Sequence, residues 1–93
     1  MKIVINDITY EVVKNEKDAI DEELLKEKIT DYFDSFDYIF GDWAYGKVRL
    51  KGFNDKKNKG YKLINDYRNI DKYLKDNCAY GCRYFILKKI EKK

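Results

Sequence analysis

One stretch, Asp37 to Phe53, constrains this chain more than any other: DYIFGDWAYGKVRLKGF. Tyr38 to Phe40 is a compact apolar run bounded by Asp37 and Gly41, the pattern of a strand buried on both faces. From Lys47 the residues alternate, with Val48 and Leu50 on one side and Lys47, Arg49 and Lys51 on the other, as a half-buried strand requires. Between the two runs lies Gly41-Asp42-Trp43-Ala44-Tyr45-Gly46, which reads as a tight connection with a glycine at each end. Gly52 marks a bulge or a close backbone approach. Strand, turn and strand in so few residues make a hairpin, and the rest of the fold must accommodate it.

The flanking segments supply the other elements. Ile3–Ile5 and Ile8–Val13 are β-branched runs on either side of Asn6-Asp7, two residues that tolerate positive φ, so a first hairpin is expected. Asn15 to Asp18 is a polar link. From Asp18 to Phe36 the apolar positions Ile20, Leu24, Leu25, Ile29, Tyr32, Phe33 and Phe36 form one helical stripe, with Asp18 or Asp21 as cap and Asp21, Glu22 and Glu23 favouring the helix start. Asp31 and Asp34 oppose the dipole at the far end of that helix. Asn54–Gly60 is a polar loop, and Tyr61–Tyr67 is either an extended segment or more of that loop. Asn69 caps a short helix that presents Ile70, Tyr73, Leu74 and Cys78 on one face and ends near Gly81. Arg83 to Ile90 is apolar on both faces, as in a central strand, and Glu91-Lys92-Lys93 reads as a frayed end. The expected fold is α+β: a small, mostly antiparallel sheet of two hairpins and a C-terminal central strand, with one long and one short helix.

A chain of 93 residues is expected to form a single domain, and its 15 aromatic residues must supply much of the core. The sequence shows no secretory signal and no apolar run long enough for a membrane span, and two cysteines are too few for a disulfide scaffold, so a cytoplasmic location is expected. The net charge of +3 is too small to identify a nucleic-acid binder, but it is segregated along the chain. Residues 15–42 hold ten acidic against three basic side chains, and residues 43–93 hold fifteen basic against five acidic.

Catalytic chemistry finds little support. Histidine is absent, which removes the usual general base near neutral pH and the commonest metal ligand. GDWAYG has neither the Walker nor the dinucleotide glycine spacing. Asp37 and Asp42 bracket a strand and would make a carboxylate pair only if both faced one cleft. Cys78 and Cys82, in CAYGC, are compatible with a reversible redox pair or with two packed thiols; zinc would need two more ligands, so no metal and no cofactor is expected.

The basic strand side is the strongest binding signal. Lys47, Arg49 and Lys51 repeat at roughly 6.5–7 Å, close to the phosphate spacing of a nucleic-acid strand. Trp43 and Tyr45 just ahead could stack unpaired bases, and Lys56, Lys57 and Lys59 would widen the positive area. The plainer reading is a soluble outer face with Trp43 turned into the core. The expected function is therefore a non-enzymatic binding module, monomeric or weakly dimeric, that contacts RNA or a ribonucleoprotein. An acidic protein partner would select the same residues.

DYIFGDWAYGKVRLKGF at 37–53 and YLKDNCAYGCRYFILKK at 73–89 resemble the YutD-like family of small bacterial proteins. The first 36 residues fit that family in pattern more than in identity, and the loop at 54–67 departs from it. The resemblance implies an α+β fold and makes the CAYGC spacing a family feature. It implies no activity, because the family is a domain of unknown function from Gram-positive-type bacteria.

Overall fold

A computed structural model describes residues 1–77 and 82–92. The first hairpin joins β1 (Lys2–Ile5) to β2 (Ile8–Glu16) through Asn6 and Asp7, both in the left-handed region at φ 52° and 69°. Two consecutive positive φ values give a turn whose twist matches that of the strands. β2 is longer than the apolar pattern suggests. It pairs with the last strand as far as Glu16, with register irregularities between Thr9 and Tyr10 and between Val12 and Lys14, so the first half of the expected polar link, Asn15 and Glu16, is strand.

Where one long helix is expected there are two short pieces. The α-helix α1 spans Glu22–Lys28; its cap Asp21 accepts a hydrogen bond from the Leu24 amide at 3.1 Å. Ile29 and Thr30 are extended, and a 3-10 turn follows over Asp31–Ser35. The break removes the dipole conflict of a continuous helix, because Asp31 now stands at the start of a new turn. Asn6 closes the end of α1 from outside: its Nδ2 donates to the Ile29 carbonyl at 2.7 Å.

The second hairpin also differs in detail. β3 runs from Tyr38 to Ala44, straight through Gly41, and β4 covers Lys47–Phe53. The turn is only Tyr45-Gly46, at φ 55° and 74°. Gly41 is therefore a strand residue, paired with Phe85, whose ring lies where a β-carbon on Gly41 would sit. The close approach of that ring, not a turn, requires the glycine.

After β4 come 3-10 turns at Leu63–Asn65 and Tyr67–Asn69 and the helix α2 (Ile70–Asn77). The final strand β5 spans Tyr84–Lys92. The sheet order is β1-β2-β5-β3-β4, antiparallel at every step, so β5 is central as its two apolar faces suggest. One face carries Ile3, Ile5, Ile8, Tyr10, Ile39, Phe85 and Leu87 and is covered by Leu25 and Ile29. The other carries Phe40 and Phe53 under Ile70 of α2, with Tyr73 and Leu74 packed alongside. No described helix is long and apolar enough to cross a membrane.

Candidate functional site

β4 is one edge of the sheet, and its alternation divides its side chains between the two faces. Val48 and Leu50 pack toward the core under α1, while Lys47, Arg49 and Lys51 project on the α2 side with Phe53. These three cations do not form a free row. Because β3 continues past Gly41, Asp42 lies directly across from Arg49. The Asp42 carboxylate is 1% exposed and receives Nε at 3.0 Å and Nη2 at 2.5 Å from Arg49. A buried carboxylate requires such a partner, and the two-pronged contact raises the guanidinium pKa further through its hydrogen bonds and charge interaction with Asp42. Arg49 is thus a structural counter-ion. Lys51 is half-buried, with Nζ 5.4 Å from the Phe53 ring centre and 5.7 Å from that of Tyr73. Lys47 is exposed.

The aromatic pair divides as well. Trp43 is on the opposite face from these cations: its indole N–H donates to the Ala19 carbonyl at 2.7 Å, and the Arg83 guanidinium lies 4.7 Å from its ring centre. That ring is half-buried and already covered on one side, so the structure does not join it to Lys47, Arg49 and Lys51. Tyr45, at the hairpin tip, is fully exposed. Asp37 and Asp42 do not converge on a cleft, since an Asp37 oxygen accepts the Asp55 amide at 2.9 Å while Asp42 holds Arg49.

The segment from Asn54 to Asn69, expected as a polar loop to Gly60 and left undecided over Tyr61–Tyr67, is built tightly onto the end of β4. Buried Asn54 donates its amide to the Asn65 carbonyl at 2.7 Å and accepts from the Tyr67 amide at 3.0 Å. Its side-chain oxygen accepts the Asp37 amide at 2.9 Å. Asp66, 2% exposed, accepts the Tyr61 hydroxyl at 2.7 Å, the Arg68 amide at 2.9 Å and the Arg68 guanidinium, with Nη2 at 2.7 Å. The Arg68 bonds, then the Tyr61 bond, hold the Asp66 carboxyl far below the usual carboxylate range. The one signal for this cluster is Asp two residues before Arg, within reach of an Asx-type turn.

This clamp turns apolar side chains outward. Leu63 and Ile64 are each 76% exposed, and across the end of the sheet Tyr32 is 67% exposed. Between Tyr32 and Ile64 a groove of about 380 Å³ lies beside Leu50–Gly52 of β4, lined by Tyr32, Phe36, Leu50 and Gly52 from one face and by Lys51 and Tyr73 from the other. Gly52 is bare because the Phe36 ring occupies the place of a side chain.

A family model described as "Putative antitoxin YutD-like" matches residues 4–88. A curated relative from Bacillus subtilis (strain 168), "Putative antitoxin YutD", is 41% identical over 90 residues, covering 97% of this chain and 99% of its own length. The chain belongs to the YutD-like family. The solution NMR structure of protein yutD from B. subtilis has the same fold, with a TM-score of 0.79 at 40% identity, covering 99% of this chain and 84% of that one. The motifs at 37–53 and 73–89 are thus parts of a shared YutD-like architecture.

Of the cysteine pair in this YutD-like chain, Cys82 is half-buried and is not a free thiol, whereas Cys78 lies outside the described residues. Among the described residues no group of three or more Cys, Asp or Glu side chains could hold a metal ion.

Proposed function

We propose that this YutD-like chain is a protein-binding module that acts as an antitoxin by contacting a protein partner at the β4 end of its sheet. The observation that carries this reading is the exposure of Tyr32 and Ile64 at the β4 groove, which Lys51 also lines. Apolar residues ringed by charge are the composition of a protein interface. The description of the family as antitoxin supports a protein partner. An RNA contact would instead use free cations and open ring faces, and two of its five candidate residues, Arg49 and Trp43, are engaged within the fold.

The test is capture from a lysate of the source organism on the immobilised full chain, with and without nuclease. A protein is expected to be retained after nuclease treatment and lost with a Tyr32→Asp/Ile64→Asp variant that melts like wild type. Retention abolished by nuclease, and unaffected by the double variant, would overturn the reading in favour of nucleic acid.

A further inference from the structure

We infer that β4 takes its partner by strand addition, pairing with an extended segment that alternates acidic and apolar residues. The inference rests on the protein-binding reading and specifies how that site recognises its ligand.

The backbone carries the first part of the argument. A two-residue turn makes Ala44 and Lys47 a hydrogen-bonded pair, so along β4 the pairs Asp42–Arg49, Phe40–Lys51 and Tyr38–Phe53 face inward. Val48, Leu50 and Gly52 then direct their N–H and C=O groups away from β3. Asn54 is next in that outward series, and it is already paired: its N–H meets Asn65 and its C=O meets Tyr67, in a parallel bridge to Asp66. This isolated bridge occupies the end of the row and Gly52 is buried, while no described strand pairs with the outward groups of Val48 and Leu50. β1, the other edge, is only four residues long, which is a common way of blunting an edge.

Side chains carry the second part. The groove is lined by Leu50, Lys51 and Gly52, from both faces of β4, so at that end of the strand it lies where an added strand would lie, not over one face. On one side an incoming strand would meet Val48, Leu50, Tyr32 and Phe36, which select apolar residues. On the other it would meet Lys47 and Lys51, with Arg49 neutralised by Asp42, which leaves net positive charge and selects Asp or Glu. Residues of a strand alternate between faces, so the two preferences combine into one pattern of period two.

The test uses an acetylated, amidated heptapeptide alternating Glu and Val, and its Lys-for-Glu counterpart, titrated into the isotopically labelled full chain. The Glu peptide is expected to bind at least about tenfold more tightly and to slow amide exchange at Val48 and Leu50. Val48→Pro removes one outward N–H and no bond to β3, so it should weaken binding about tenfold or more while the hairpin persists. Equal binding of both peptides, protection at Lys2–Ile5 instead, or undiminished binding by Val48→Pro would overturn the inference. If Val48→Pro unfolds the chain, the wild-type exchange pattern alone decides. A Val48→Pro variant that still captures the nuclease-resistant protein, when Tyr32→Asp/Ile64→Asp does not, overturns strand addition and leaves the protein-binding function standing. The Glu peptide bound at Val48 and Leu50, with no protein captured by the wild-type chain, supports the edge and overturns the function.

Discussion

Tyr10 places its hydroxyl in the core with no hydrogen-bond partner among the described residues. Burial, and secondarily the nearby Asp34 charge, push its pKa up to about 12. The folded state therefore holds the phenol proton more tightly than the unfolded chain, whose tyrosine titrates near 10. The stability that this supplies is complete below pH 10 and is lost as pH rises toward 12. Tyr10→Phe should melt at a temperature equal to or above that of wild type at pH 7, within about 1 kcal/mol, because it removes a buried unpaired oxygen. Thermal melts from pH 8 to 12 should show the wild-type curve falling away from the Phe curve above about pH 10. Curves that stay parallel would show that the phenol is not buried. Gly41 makes a second residue-scale case. Gly41→Ala drives a methyl into the Phe85 ring and should cost about 1–3 kcal/mol in a denaturant titration. Gly41→Ala/Phe85→Leu should recover part of that loss, since the two side chains contend for one volume.

At the scale of elements, the hairpins were legible because turn chemistry is local. Asn6-Asp7 and Tyr45-Gly46 act on their own backbones, and the alternation around them sets the faces. The helix was only half legible. Its apolar stripe continues from Leu25 to Phe36 because both α1 and the following 3-10 turn lean on the same sheet face. Periodicity therefore does not register the extended residues between them; the mismatched charges of Asp31 and Asp34 do. The candidate site was legible as a face and illegible as a network. Alternation places Lys47, Arg49 and Lys51 together, but nothing local reveals that β3 runs on to set Asp42 opposite Arg49. Asn6 allows the α1 stop to be tested. Asn6→Gly keeps the turn and removes the donor to the Ile29 carbonyl, at a cost of about 1 kcal/mol. Asn6→Ala loses the donor and also strains a positive φ, so it should be the less stable of the two. If both variants lose the same stability, Asn6 acts through the cap alone.

Across the whole molecule, the segregation of charge in sequence carries over to the two faces only in part, since Asp42 lies with Arg49 on the α2 side and Arg83 lies over Trp43 on the other. The acidic residues Asp21, Glu22, Glu23 and Glu27 belong to the helix on the Phe85 face, whereas Lys47 and Lys51 project from the opposite face beside α2. An acidic partner approaching the β4 edge would meet attraction there and repulsion behind α1, so the charge pattern should act on encounter more than on residence. Exposed charges farther apart than about 8 Å are largely screened at 0.15 M salt, so this effect must weaken as salt rises. Lys47→Ala/Lys51→Ala should therefore lower the association rate of the captured partner, measured by surface kinetics, by about tenfold at low salt and less at 0.5 M, with a smaller change in dissociation. Arg49→Ala should behave differently. It leaves Asp42 buried without its counter-ion, so its first effect is a lower melting temperature. Asp42→Asn/Arg49→Met should melt above Arg49→Ala, because it removes the orphaned charge as well as the pair. An association rate that is insensitive to the lysines, together with an Arg49→Ala variant as stable as wild type, would reverse the roles given to these three cations.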